Sequence, residues 1–236
     1  MNGRRGTQKN GAPSGAVYIA DSQTQGKGRI GRRWETPKGS SLALSLLLRP
    51  DFEAEHAPML TLIMGMAACM AIEKITGLTA EIKWPNDVVI NKKKTTGILT
   101  EMGMSEGKIS YVVVGIGINL NMESFPEELA YKATSLKIEC GHEINRDEIA
   151  AALLFYFEQY YEKFEQTHNL GFLIEEYNNH LVNRGKEVLI KEKDGEYTGI
   201  SRGINDKGEL LVEKKDGNCV EIFSGEVSVR GLYGYV

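Results

Sequence analysis

Glycines alternate with cations over Gly26-Lys27-Gly28-Arg29-Ile30-Gly31-Arg32-Arg33, and Trp34 closes the run. A glycine-rich backbone exposes its N–H groups and interleaved cations add charge, a combination that suits a phosphate or another anion. An ordinary flexible basic loop has the same composition, so the rest of the chain has to decide between the two. Three further segments put polar or glycine positions where strands would end or bulge: Lys83-Trp84-Pro85-Asn86-Asp87, Lys94 with Gly97, and Gly115-Ile116-Gly117-Ile118-Asn119. Such places are where sites are commonly built.

The sequence contains no Ser-His-Asp or Cys-His arrangement, no zinc-ligand spacing and no glycine run ending in Lys-Ser or Lys-Thr. Nucleophilic catalysis by the protein is therefore not indicated. What remains is chemistry that needs positioning and charge neutralisation, as phosphoryl or nucleotidyl transfer does, with Arg29 and Lys94 as the candidate cations. Lys92-Lys93-Lys94 also reads as a solvated turn. Met59, Met64, Met66 and Met70 fall at helical spacing and read as core filler.

The elements that would position these residues follow from pattern. Ala16 to Ala20 and Ser41 to Leu48 are strands anchoring the two ends of the basic loop, the second apolar on both alternating sets and so covered on both faces. His56 to Gly77 is a helix, with Pro58 in its first turn, Gly77 as its stop, and Leu60, Met64, Cys69, Ile72 and Ile75 near one stripe. Two short strands flank a basic turn at 91–94, and 107–121 holds a buried strand broken by glycines, where a ligand or another backbone can come close. Asn145 with Glu148 starts a long helix striped by Ile149, Leu153, Phe157, Tyr160, Tyr161 and Phe164. A shorter helix spans Phe172 to Leu181. Strands near 187–191, 196–204, 209–214, 219–223 and 227–230 then make a small five-strand barrel. The expectation is an α+β protein of two domains, 1–182 and 183–236, with 1–15 a flexible arm or the tail of a missing element.

At 236 residues, 42% hydrophobic and 25% charged, the chain can bury a sizeable core, and 26 glycines argue for many turns. A formal charge of -4 gives no global field for nucleic acid, so the basic cluster acts locally and bulk DNA binding is disfavoured. Cys69, Cys140 and Cys219 are far apart and fit reduced thiols in a cytoplasmic protein. Neither a signal peptide nor a membrane span is expected from the pattern.

Together these segments resemble the biotin protein ligases, which attach biotin to a carboxylase carrier domain. The likeness runs from about Gly11 to Arg230. It rests on the Gly26–Trp34 loop, the Lys83–Asp87 pentapeptide, Lys94 with Gly97-Ile98-Leu99-Thr100-Glu101, the Gly115–Asn119 segment, and Ser224-Gly225-Glu226-Val227-Ser228-Val229-Arg230. The resemblance implies a mixed β-sheet flanked by helices, a class II aminoacyl-tRNA synthetase-like catalytic fold, plus an SH3-like β-barrel. It implies two steps: biotin's carboxylate attacks the α-phosphate of ATP, and a carrier lysine then attacks the biotinyl-5'-adenylate. Arg29 and Lys94 would be catalytic. Gln23, Gly26, Lys27, Gly28, Lys94, Gly97, Leu99, Gly115 and Gly117 would bind biotin. Arg29, Arg32, Trp34, Asn86, Asp87, Asn119 and Arg184 would bind ATP or the adenylate, with Mg2+ near Asp87. The implied partner is the biotin carboxyl carrier protein, with a homodimer an open option.

Some positions depart from the family pattern. Met1 to Pro13 lacks the usual Ser-Thr-Asn motif and room for its helix, so either the start lies upstream or that wall of the biotin pocket is built differently. Lys27 replaces a commoner arginine, keeping charge but losing the bidentate fork. Thr95 and Thr96 stand where small or apolar residues are usual. The winged helix of some members is absent, which speaks against DNA-binding repression. Two other readings stay open: a lipoate or octanoate ligase, and a biotin-binding sensor that does not transfer.

Overall fold

Ser41 to Leu48 shows no polar alternation because β2 (Ser41–Leu48) is buried at every position. In the computed structural model, which describes residues 11–31, 34, 37–192, 195–224, 228–231 and 235–236, it lies inside a six-stranded sheet. Its neighbours are β1 (Ala16–Ala20) at the sheet's edge and β6 (Lys108–Asn119). Beyond β6 come β5 (Lys93–Ser105), β4 (Asp87–Ile90) and β3 (Glu81–Lys83). Every ladder among the described residues is antiparallel. β3 to β6 are joined by short turns, which only antiparallel neighbours permit. Among the described residues, parallel pairing, which a mixed sheet requires, is confined to the isolated bridges Ile82↔Leu181 and Lys94↔Ala133.

Helix α1 (Met59–Thr76) stops at Gly77, whose φ of 70° suits glycine and whose N–H bonds the Glu73 carbonyl. By length and composition the segment Ala54–Thr76 could cross a bilayer, yet α1 is a core helix, buried all round rather than along one stripe. It is enclosed between the sheet and a later helix, α4 (Arg146–Thr167). The Asn145 side chain accepts from the N–H groups of Asp147 and Glu148, which is why α4 begins there. Between β6 and α4 lie two short helices that the pattern did not reveal, α2 (Glu127–Ala130) and α3 (Leu136–Cys140). A seven-residue helix, α5 (Ile174–His180), ends the larger unit.

The second sheet has the order β10-β9-β8-β7-β11 and is antiparallel throughout its described ladders. Its strands are β7 (Glu187–Glu192), β8 (Gly195–Ile204), β9 (Leu210–Glu213), β10 (Cys219–Ile222) and β11 (Ser228–Gly231). The two sheets share one apolar cluster, in which Val188, Ile190, Leu210 and Val212 join Leu42, Leu60 and Ile82. Buried hydrogen bonds tie the second sheet and its turns to the larger unit: Trp84 Nε1 donates to the Gly208 carbonyl at 3.1 Å, and the Ile204 N–H donates to Asn178 Oδ1 on α5 at 2.8 Å.

Candidate active site

The basic loop is pinched shut at its base. Trp34 N–H bonds the Gly26 carbonyl at 3.0 Å, and a Cβ on Gly26 would sit 2.0 Å from the Trp34 carbonyl oxygen. Only glycine allows that approach. The loop walls a cleft of about 980 Å³ whose lining includes Gln23, Gly26, Lys27, Gly28, Arg29, Trp34, Asn86 and Leu99. The second sheet's edge contributes Ser224. Lys27 stands at the rim, 58% exposed and 3.9 Å from Glu101, a pair weak enough to exchange freely for a ligand anion.

Two cations are seated on consecutive residues, Asn86 at the end of the turn after β3 and Asp87 at the start of β4. Arg29 Nη1 donates to Asn86 Oδ1 at 3.0 Å, and its Nη2 donates to the Ser224 carbonyl at 2.6 Å. Lys94 Nζ donates to Asp87 Oδ1 at 2.5 Å. Asn86 is itself fixed to β5, since its Nδ2 donates to the Ile98 carbonyl and its own carbonyl accepts the Ile98 N–H. Lys94 is held on the opposite side of its backbone by Lys132 and Thr134. Asn119, 5% exposed, supports that contact by donating to the Thr134 carbonyl.

The expected basic turn is shorter than 91–94. Asn91 and Lys92 make the turn, with φ of 48° and 64°, the signature of a tight two-residue hairpin. Lys93 and Lys94 belong to β5. Lys94 is 24% exposed and ion-paired, unlike a solvated turn lysine.

Gly97 and Gly117 face one another across β5 and β6, and the Trp34 indole lies on both. A Cβ at Gly97 would come within 3.0 Å of Trp34 Cζ3, and one at Gly117 within 2.5 Å of Trp34 Nε1. The indole N–H is buried with no hydrogen-bond partner among the described residues, at a cost of about 1–3 kcal/mol for such a group. Lys94 Nζ sits 5.5 Å from the centre of the same ring. Gly115 lies two residues along β6, opposite Leu99.

Other expected residues fall elsewhere. Arg184 is exposed at the turn before β7, where it reaches Asn179 at 3.4 Å, and it is not among the residues lining the cleft. Arg32 lies outside the described residues. Both Asp87 oxygens are already engaged, one by Lys94 and the other by the Tyr235 hydroxyl. Among the described residues no group of three His, Cys, Asp or Glu side chains is gathered for a metal. Asp87 as placed anchors Lys94 through one oxygen and meets the Tyr235 hydroxyl through the other. Pattern reading gave no role to Ser224, which acts through its carbonyl, or to Tyr235, and it marked Lys83 only as part of the Lys83–Asp87 segment, whereas its Nζ lies 3.4 Å from the centre of the Tyr235 ring. A backbone acceptor carries no side-chain signal, and one tyrosine near a chain end belongs to no periodic element.

Comparison with known proteins agrees with this geometry. Residues 4–119 match the biotin/lipoate A/B protein ligase family, and residues 185–230 match the biotin protein ligase C terminal domain. The chain is 38% identical over 222 residues to the bifunctional ligase/repressor BirA of Bacillus spizizenii, covering 93% of this chain and 68% of that one. It is 31% identical to the biotin--[acetyl-CoA-carboxylase] ligase of Paracoccus denitrificans, with 91% and 92% covered. A structure of the Aquifex aeolicus biotin protein ligase in complex with biotin and ATP superposes with a TM-score of 0.84 at 32% identity, covering 96% of this chain and 94% of that one.

Proposed function

Because the chain belongs to the biotin protein ligase family, we propose that it joins biotin to ATP and then hands the biotinyl group to a lysine of a biotin carboxyl carrier domain, as in acetyl-CoA carboxylase. The observation that carries the reading is the seating of Arg29 and Lys94 on the adjacent residues Asn86 and Asp87. Two cations fixed on neighbouring residues match a reaction in which negative charge builds on a phosphate and both nucleophiles come from substrates.

In the first step a biotin carboxylate oxygen bonds to the α-phosphorus and pyrophosphate leaves with the electron pair of the cleaved P–O bond. Lys94 draws the two anions together and Arg29 holds the adenylate. In the second step the carrier lysine's amine bonds to the acyl carbon, AMP leaves, and the amine's proton passes to solvent. Gln23, Gly26, Lys27, Gly28, Leu99 and the glycines Gly97, Gly115 and Gly117 surround biotin in this reading. Trp34 stands on two of those glycines, so biotin displaces its indole, which is then available to cover the adenine. Asn119 acts through the backbone next to Lys94 rather than on the nucleotide. A divalent cation bound with ATP would supply charge to the leaving pyrophosphate; no group of three His, Cys, Asp or Glu side chains is gathered for it among the described residues.

Finer features rest on the same likeness. We read the larger unit, 1–182, as class II synthetase-like and 183–236 as an SH3-like barrel, in a cytoplasmic setting where ATP and the carrier are found. A homodimer, where it forms, does not pair through the edge of β6, which is flanked on both sides by β2 and β5. Incubation with ATP, magnesium, labelled biotin and carrier domain gives labelled carrier. Pyrophosphate–ATP exchange that depends on lipoate but not biotin makes the chain a lipoate-type ligase, and biotin binding without carrier labelling makes it a sensor.

A further inference from the structure

Tyr235 is 148 residues from Asp87 in sequence, yet its hydroxyl donates to Asp87 Oδ2, while Asp87 Oδ1 accepts from Lys94 at 2.5 Å. The carboxylate therefore binds the cation with one oxygen and the phenol with the other. Lys83, 8% exposed, lies 3.4 Å from the centre of the tyrosine ring and steadies it from the side. A carboxylate held through a single oxygen can still swing about its terminal torsion, which is broad for aspartate. A donor on the second oxygen removes that freedom. Asp87 and Lys94 are 13% and 24% exposed, so a change in carboxylate orientation is passed on to the ammonium with little screening by water.

Resting on the ligase reading, we propose that Tyr235 is a positioning residue for Lys94, acting through Asp87 and touching neither biotin nor ATP. The C-terminal part of the chain then steadies both cations of the site, Lys94 by way of the Tyr235 hydroxyl and Arg29 by way of the Ser224 carbonyl.

Biotin-dependent pyrophosphate–ATP exchange tests it in the full chain. Tyr235→Phe keeps the ring beside Lys83 and removes only the hydroxyl. Its kcat falls about 5- to 20-fold while KM for biotin and for ATP stays within about 2-fold, the split expected of an interaction that matters in the transition state. Melting temperature is unchanged. In an Asp87→Ala background the same substitution costs no further rate, because the residue it acts through is gone. Unchanged kcat in Tyr235→Phe overturns the proposal, and so does a loss of equal size in the Asp87→Ala background. A rate that rises means the tail obstructs the site, and a rate loss matched by loss of folded protein means the hydroxyl serves only stability; either result overturns it. Absence of exchange in the unmodified chain overturns the ligase reading and this role with it, whereas equal exchange by the unmodified chain and Tyr235→Phe removes only the role of Tyr235.

Discussion

Arg29 and Lys94 lose different things on truncation. Lys94→Ala removes the cation paired with Asp87, so adenylate formation falls about 10²–10³-fold, as for loss of a preorganised charge-stabilising group; single-turnover release of pyrophosphate measures it. Arg29→Gly leaves Lys94 in place and frees Asn86 Oδ1 and the Ser224 carbonyl. Adenylate still forms but escapes, and an added bystander protein becomes biotinylated on a streptavidin blot; a bystander as clean as with the unmodified chain contradicts the holding role. Arg29 and Lys94 stood out in the sequence because each stands in a short segment of glycines and polar residues. Tyr235 did not, and Arg184, expected at the nucleotide, is exposed beside Asn179, outside the cleft lining, because a junction in sequence says nothing about which way an arginine reaches. Thiol chemistry gives a further residue-level prediction. Burial, then Glu73 and Glu81, pushes the Cys69 thiol well above its ordinary value. The reactive thiolate is therefore scarce at neutral pH and becomes available only at strongly alkaline pH or on unfolding. Between pH 7 and 9, alkylation followed by mass measurement finds Cys219, which is exposed, labelled while Cys69 stays unlabelled until urea is added.

At the scale of elements, the facing glycines of β5 and β6 decide what can lie on them. Gly117→Ala puts a Cβ 2.5 Å from the indole nitrogen of Trp34, closer than the two atoms can stand, so the ring must move. With Trp34 and Trp84 the only two tryptophans, and Trp84 3% exposed, the emission of the ligand-free variant shifts through Trp34. The KM for biotin rises about tenfold, the cost of crowding a closely packed surface by one methyl. An unaltered spectrum together with an unaltered KM rules out this placement of the ring and of biotin. Long elements were legible wherever pattern and cap agreed: β2 from its unbroken apolar run, α1 from Gly77, α4 from Asn145. The short helices α2 and α3 span less than two turns each, too few residues for a period to show. The lysine run misled for a different reason. Charge alone describes a turn, but Lys93 and Lys94 are drawn into β5 by pairing with Ile90 and Val89 on one side, and Lys94 is clasped by the backbone of Lys132 and Thr134 on the other.

For the whole molecule, two sheets were foreseeable from the change of periodicity after α5, but not what joins them. The joining contacts link residues far apart in sequence, 124 positions for Trp84 with Gly208 and 195 for Arg29 with Ser224, and no local pattern marks such pairs. They make the sheets interdependent, since one apolar cluster runs through both. The chain therefore melts in one cooperative transition, with calorimetric and van't Hoff enthalpies equal. Trp84→Phe probes the joint: it removes the indole N–H, leaves the buried Gly208 carbonyl without that donor, and lowers stability by about 1–3 kcal/mol. Because Ser224 and Tyr235 reach the site from the second sheet's side, loosening the joint also lowers the rate of adenylate formation at temperatures where the variant is fully folded. Two separate melting transitions, or a destabilised Trp84→Phe whose exchange rate equals that of the unmodified chain, would mean the C-terminal sheet is only attached to the site and does not shape it.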